Sequence, residues 1–222
     1  MGLLDDLKKQ ADQVRSQENQ RKDLLAENLA AVEAAMGKTF LYFLDLLKQL
    51  AVIKPVNPLL FSVPGLGEFA GLAYAEGSVD YRKKKIGDVD YYERIELYVQ
   101  WSKPDNLVIE RDMPATIKKA SEQLWAANLK FSEQVIKNAA GSLVKTRFTV
   151  PANIRADITI KADYEQGRLL VFGRNLLRLG PDDFALPAAG TDEQRLEEFA
   201  KLLIGQPSDL RRFRTVLPRA PS

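Results

Sequence analysis

The sequence contains no cysteine and no histidine among its 222 residues. The absence of cysteine excludes disulfide bonds, a thiolate nucleophile, cysteine-bound zinc and iron–sulfur clusters. The absence of histidine excludes Ser–His and Cys–His catalytic pairs, histidine-bound metals and a histidine pH switch. Chemistry is left to carboxylates, lysine, tyrosine and serine. We therefore expect no metal and no cofactor, and the composition favours a binding protein over an enzyme.

A long apolar run is also missing. The most apolar stretch, Phe40–Ile53, spans 14 residues and contains Asp45 and Lys48, whereas a membrane-spanning helix needs about 20 mostly apolar residues. Asp5 and Asp6 lie close to the start of the sequence, where a secretory signal has basic residues and then an apolar run. These features predict no membrane span and a cytoplasmic location, and the missing cysteine agrees with a reducing compartment.

The remaining composition is that of a folded globular protein. Apolar residues make up 45% of the chain, charged residues 28%, and the formal net charge is +2. These values are ordinary, and the length fits one large domain or two small ones. The isoelectric point of about 8.6 is below the range typical of nucleic-acid-binding domains, which disfavours nucleic acid as a partner.

Residues 1–54 are predicted to be helical, because they lack proline and their apolar residues recur every three or four positions. Residues 15–23 contain no apolar side chain, so we expect no continuous coiled-coil seam. We predict that residues 25–53 pack on the body and that residues 1–23 form an exposed arm. The arm is either a surface for self-association or a protein partner, or a loosely docked terminus. The packed stripe is Leu25, Leu29, Val32, Met36, Phe40, Phe43, Leu47 and Leu50, and the arm's stripe is Leu4, Leu7, Ala11 and Val14.

Residues 55–207 show the alternation of β-strands. The clearest examples are residues 89–101 and 154–162, where apolar and polar side chains alternate. Strands in runs, separated by isolated helices, indicate an α+β fold with an antiparallel sheet. We therefore predict a curved antiparallel sheet of about seven or eight strands packed on the long N-terminal helix.

Two further helices are predicted near residues 114–128 and 192–204. The first begins at Pro114, and the second follows a capping box at Thr191. The sequence Lys103–Asn106 predicts a turn between two strands. Residues 208–222 are rich in arginine and contain proline, which predicts a basic, disordered tail.

Several aromatic side chains are candidates for an apolar pocket between helix 25–53 and the sheet. A helix lying on a curved sheet often leaves a cavity between the two layers, and aromatic residues line such cavities. The competing interpretation is that these side chains simply fill the core. The candidates are Trp101, Trp125, Tyr91 and Phe43.

Glu93 is the most interesting carboxylate, because strand alternation places it on the apolar face. A buried carboxyl group has a raised pKa and can act as an acid. The alternative is that Glu93 lies in water at the open end of its strand. The sequence has no phosphate-binding loop and no nucleophile-elbow motif, so no catalytic or cofactor-binding residue is assigned.

Basic residues cluster in two segments that are candidates for contacts with an anionic partner. One is a predicted hairpin connection and the other is the C-terminal tail; the alternative for both is a solvated charge run. The candidates are Arg82, Lys83, Lys84, Lys85, Arg211, Arg212 and Arg214.

Three functions remain open at this point. The first is a non-catalytic interaction or accessory protein that self-associates, or docks a partner, through its N-terminal helix. The second is a binding protein for an apolar small molecule held between helix 25–53 and the sheet. The third is a carboxylate-based enzyme that uses Glu93.

Overall fold

The computed structural model describes residues 2–213 and 215–217, the side chains of residues 3–6 excepted. Within this part of the chain, helices and strands alternate in the order of an α+β protein. The helices are α1 (Leu3–Ile53), α2 (Pro114–Ala126) and α3 (Glu193–Leu203), with a 3₁₀ turn at Leu210–Arg212. The strands are β1 (Phe61–Val63), β2 (Gly67–Phe69), β3 (Ala73–Ile86), β4 (Val89–Arg111), β5 (Ser132–Lys137), β6 (Leu143–Asp163), β7 (Arg168–Arg174), β8 (Pro181–Pro187) and β9 (Thr215–Val216).

Seven of these strands form one antiparallel sheet in the order β3-β4-β6-β7-β8-β9, with β5 paired to the first part of β6. Strands β1 and β2 form a separate small hairpin. Strands β3 and β9 lie at opposite edges, so the sheet is open. The predicted fold class is confirmed, including the long N-terminal helix on the sheet and the two further helices.

The long helix packs on the dry face of the sheet because each surface is apolar: every second residue of the strand, and every third or fourth residue of the helix, is a buried apolar side chain. On β4, Ile95, Leu97, Val99 and Trp101 are buried, and the residues between them are not. On α1, the buried side chains include Val32, Met36, Phe43, Leu47 and Leu50, which belong to the predicted stripe. Gly77 on β3 lets the helix come close, since a Cβ there would lie 2.8 Å from a methyl carbon of Leu47.

The turn predicted at Lys103–Asn106 is wrong, because β4 continues through it as one strand of 23 residues. Its pairing with β6 is instead interrupted between Ser102 and Asn106, where the register shifts. A local bulge of this kind accommodates extra residues while the neighbouring strand stays continuous. Pro104, which has no backbone N–H to donate, lies in the interrupted part.

The predicted disordered tail also needs correction for residues 208–213 and 215–217. Leu210 is buried against the core, and the Ser208 hydroxyl donates a hydrogen bond of 2.7 Å to the carbonyl of Glu198 in α3. Strand β9 pairs with β8. The prediction of disorder rested on the arginine-rich composition and did not take account of Leu210, whose apolar side chain packs this segment on the core beside α3. Arg214 and residues 218–222 lie outside the described residues.

Replacing Phe43 by alanine tests the packing of α1 on the sheet. Phe43 is completely buried, with its ring 5.1 Å from that of Phe199. We expect Phe43→Ala to lower the free energy of unfolding by about 3–5 kcal/mol, because it leaves a cavity in the core. Leu41→Ala is the matched control, since Leu41 is 63% exposed on the same helix, and it should change stability by less than about 0.5 kcal/mol. Urea denaturation followed by circular dichroism measures both, and equal losses would contradict the packing.

Candidate functional site

The N-terminal half of α1 projects beyond the sheet. Every residue from Leu7 to Glu27 is exposed, so this part of the helix is not buried against the body of the protein. At 1.5 Å per residue it extends for about 30 Å. Its surface is not wholly polar, because Leu7 and Val14 are each 53% exposed and share one face of the helix. We call residues 7–27 the helical arm; Leu4 of the predicted stripe lies outside the described side chains.

A cluster of hydrogen bonds, which we call the anchor, fixes the point where the arm leaves the body. It consists of Asn28 and Glu33 on α1, Tyr92 on β4, and Tyr164 and Glu165 in the turn after β6. The Asn28 side-chain amide donates to the carbonyl of Glu165 at 3.0 Å. The Glu33 carboxylate accepts from the backbone N–H of Tyr92 at 2.7 Å and also from the Tyr164 hydroxyl. The anchor therefore joins the helix to β4 and to the turn between β6 and β7, within a few residues of the point where the helix leaves the body.

The electrostatics of the anchor keep Tyr164 in its neutral form. Burial, followed by the hydrogen bond and charge of Glu33, raises the pKa of Tyr164 well above its ordinary value of 10.0. The neutral hydroxyl lies between the Glu33 carboxylate and the Tyr92 carbonyl, whose oxygen is 2.6 Å away. A phenol held in this state is a hydrogen-bond donor and not a nucleophile. The arrangement is suited to fixing the helix in place.

The turn between β6 and β7 allows the close approach that the anchor needs. Gly167 has φ +61, and a Cβ at this position would collide with the Asn28 side chain. Glycine meets both requirements, since it adopts positive φ freely and leaves room for the amide. A short polar segment that ends in glycine, residues 163–167, predicts this turn from the sequence, but the helix residue that lies against it is not predicted.

The four aromatic candidates for an apolar pocket lie in different surroundings. Phe43 and Trp101 are completely buried in the core, where Trp101 packs 6.0 Å from the Tyr74 ring. Tyr91 is half-buried beside Tyr164, with 6.0 Å between the ring centres. Trp125 is 71% exposed on α2 and contacts Phe131. Trp125 therefore does not share a lining with Phe43 and Trp101, and the apolar-ligand function stays a prediction.

Glu93 lies in water because of a bulge in β4. Arg82 of β3 pairs with Arg94 and Lys83 pairs with Tyr92, so Glu93 has no partner on β3 and the alternation of β4 is broken there. The Glu93 side chain is 46% exposed and forms an ion pair of 3.7 Å with Arg94. The second sequence interpretation, an exposed carboxylate, describes this environment, and the enzymatic function stays untested.

The two basic segments lie on opposite edges of the sheet. Residues 82–85 form the exposed end of β3, where the Lys83 ammonium lies 4.6 Å from the centre of the Tyr92 ring and Lys84 lies 5.8 Å from that of Tyr164. Arg211 and Arg212 are in the 3₁₀ turn before β9, and Arg212 is paired with Asp209 at 3.5 Å. Arg214 lies outside the described residues. The structure therefore does not join the two segments into one basic surface.

The anchor residues are not found by sequence reasoning. Glu33 interrupts an otherwise apolar and alanine-rich segment of α1, which is the only sign of its role. Tyr164 lies 131 positions away along the chain, and nothing in a single sequence connects the two. Only the folded sheet brings them together.

Comparison with protein-family models, with curated proteins and with solved structures finds no match for this chain. Within the described residues, no helix combines the length and hydrophobicity that crossing a bilayer requires. The same residues contain no cluster of three or more acidic side chains that could hold a metal ion. The expected cytoplasmic location stays a prediction.

Tyr164→Phe tests the anchor through the pH dependence of stability. Because the pKa of Tyr164 is higher in the folded state, its contribution is complete below pH 10 and is lost as the pH rises above that value. We expect Tyr164→Phe to lower the free energy of unfolding by about 1–2 kcal/mol at neutral pH. Above pH 10 the difference from the unsubstituted protein should shrink.

Tyr81→Phe is the matched control, because Tyr81 is 41% exposed and packs through its ring on Phe40 and Tyr92, outside the hydrogen bonds of the anchor. Urea denaturation at neutral pH and at about pH 11 measures all three proteins. A difference between Tyr164→Phe and the unsubstituted protein that stays constant with pH would contradict the anchor.

Proposed function

We propose that this chain is a non-catalytic interaction protein, and that its helical arm binds the arm of a second copy. The observation that carries the proposal is the continuous 51-residue helix α1, whose residues 7–27 are exposed on all sides. The anchor supports it, because Asn28 and Glu33 hold the arm at a defined position. A surface for recognition gains affinity when it is held ready in its bound conformation.

The exposed apolar face is the first reason to expect a partner. Leu7, Ala11, Val14 and Leu25 lie on one side of the arm, at the spacing of a helix interface. Exposed helices are marginal in water without tertiary contacts, although an extension of a folded helix avoids the nucleation step. Burial of this face against a second helix supplies the missing contacts.

The charge pattern of the arm favours a second copy over a strongly charged partner. The arm carries five lysine or arginine residues and four aspartate or glutamate residues. The two signs are interspersed and nearly balanced, unlike the blocks of one sign that bind nucleic acid. A surface with both signs is complementary to another copy of itself.

The positions of two charges indicate an antiparallel pair of arms. Glu18 and Arg21 interrupt the apolar face, and a parallel pair would place Glu18 opposite Glu18 and Arg21 opposite Arg21, which is unfavourable. In an antiparallel pair Leu7 lies opposite Leu25 of the second copy. The same register places Ala11 opposite Arg21 and leaves no like charges in contact along the face.

Charged substitutions on the apolar face should separate the copies. We expect the unsubstituted protein to be a dimer at micromolar concentration and Leu7→Lys with Val14→Lys to be a monomer. Ser16→Lys with Gln20→Lys adds the same charge on the opposite face, and this control should stay dimeric. Analytical ultracentrifugation gives the masses. A monomeric unsubstituted protein at all concentrations, or loss of the dimer in the control, would refute the proposal.

Cross-linking tests the orientation of the two arms. Because the sequence contains no cysteine, an introduced cysteine can form a disulfide only with another introduced cysteine. Ala11→Cys and Arg21→Cys are made as single variants. In an antiparallel pair, positions 11 of the two copies are about 15 Å apart along the helix, too far for a disulfide. A mixture of the two variants should therefore form disulfides on mild oxidation, and Ala11→Cys alone should not. A strong Ala11→Cys homodimer would show a parallel pair instead.

A further inference from the structure

Strand β6 lacks a strand partner along part of one edge. On that side, β5 pairs with β6 up to Thr149, and β7 pairs with it from Asp157 onwards. Residues 150–156 lie between the two neighbours, and within the described chain no strand pairs with them on this side. The gap, together with the side chains around it, is called the β6 notch. Pro151 lies in this segment, where the sheet tolerates a residue without a backbone N–H.

The notch is a concave site on the wet side of the sheet. Its cavity has a volume of about 320 Å³, within the lower range of small-molecule sites. Arg155 and Asp157 line it, and they alternate with Ile154, Ala156 and Ile158, which are buried on the dry side. The notch therefore opens on the face opposite α1, and it is separate from the arm.

The two rims of the notch are formed by asparagines in an unusual backbone conformation. Asn128 after α2 has φ +54 and Asn175 after β7 has φ +57. Asparagine is the residue, after glycine, that most readily adopts this left-handed region. The Asn175 side chain is fixed at both ends, since it donates to the carbonyl of Arg155 and accepts from the N–H of Gly180, each at 2.9 Å. The rim on this side is consequently well defined.

The charges in the notch are positive and not fully neutralised. Arg155 is paired with Asp157 at 2.6 Å and lies 3.8 Å from the centre of the Tyr98 ring. Arg174 and Lys130 line the same cavity, and neither forms an ion pair with another described residue. Two cations without a partner at one concave site attract an anion, and arginine suits the planar or tetrahedral oxygens of carboxylate and phosphate.

Amide side chains complete the lining. Gln100 donates a hydrogen bond to Asn153 across the floor of the notch, and Asn128 lies at the rim. Amides both donate and accept hydrogen bonds, so they match the hydroxyl groups of a polar ligand. An apolar ligand would leave these groups without partners, which is unfavourable.

We propose that the β6 notch binds a small, hydroxyl-rich molecule that carries one oxyanion group. Arg174 and Lys130 contact the oxyanion, and the amides of Gln100, Asn128 and Asn153 contact the hydroxyls. The oxyanion is a phosphate or a carboxylate, since both match an arginine beside a lysine. This inference does not depend on self-association, because the notch lies on the wet face of the sheet and the arm projects beyond the sheet.

Binding of three matched probes tests the proposal. Glucose 6-phosphate and gluconate carry the two oxyanions, and glucose is the neutral control. Titration is followed by the amide signals of residues 150 and 152–157 in nuclear magnetic resonance spectra. We expect one or both anions to shift these signals at concentrations at least about tenfold below those that glucose requires.

Two substitutions separate a built site from general attraction to positive charge. Arg174→Gln should weaken binding by about tenfold or more. Lys161→Gln removes the same charge from an exposed position on β6, outside the notch, and should change the affinity by less than about twofold. Absence of binding by both anions, equal binding of glucose, or equal losses in the two variants would overturn the proposal. The preferred anion identifies the oxyanion.

Discussion

The contact between α1 and the dry face of the sheet is the interaction on which the rest of the structure depends. The sheet exposes a row of apolar side chains on β4 and β6, and a sheet with one apolar face needs a cover. The stripe from Val32 to Leu50 supplies it. Without this layer, Trp101 and Phe43 would both lie in water. The long strands, the position of α3 and the burial of Leu210 follow from one core built around this helix.

The same contact leaves half of the helix without a surface to lie on. The sheet covers α1 only as far as Asn28, and the helix continues for a further 25 residues to Leu3. Such a continuation could swing at the edge of the core, but Glu33 and Asn28 join it there to Tyr92, Tyr164 and Glu165. A polar cluster at this point makes the direction of the arm part of the fold. That feature supports the proposal that the arm is held ready for a partner.

The sequence predicts the parts of this structure that local patterns determine. The period of the α1 stripe and the alternation of residues 154–162 each reflect one element facing one environment, and the structure agrees with them. The helix predicted after Thr191 also forms, but the capping box is wrong by one position, because the N-cap is Asp192, whose side chain accepts a hydrogen bond from the backbone N–H of Arg195. Glu93 shows the limit, because a single unpaired residue reverses the face of a strand without any local sign. Residues 208–213 show the same limit, because a single apolar residue in a basic segment, Leu210, is not a pattern that predicts an ordered structure.

The candidate sites are less accessible to sequence reasoning, because they are formed by residues far apart in the chain. Glu33 meets Tyr164 only through the order of the strands, and the β6 notch exists only because β5 and β7 share one edge of β6. A gap between two strands on one edge of a third cannot be predicted from the composition of a sequence or from the spacing of its residues. The polar and charged residues of the notch are distributed over three strands and two loops, and each by itself resembles ordinary surface.

Amide hydrogen exchange at a series of protein concentrations tests the central claim most directly. The account predicts that residues 32–50 of α1 exchange slowly at every concentration, because they are packed on the sheet. Residues 7–27 should exchange fast in dilute solution and become protected as the concentration rises and the arms pair. An arm that stays unprotected at all concentrations, while residues 32–50 remain protected, would contradict the claim that it binds a second copy.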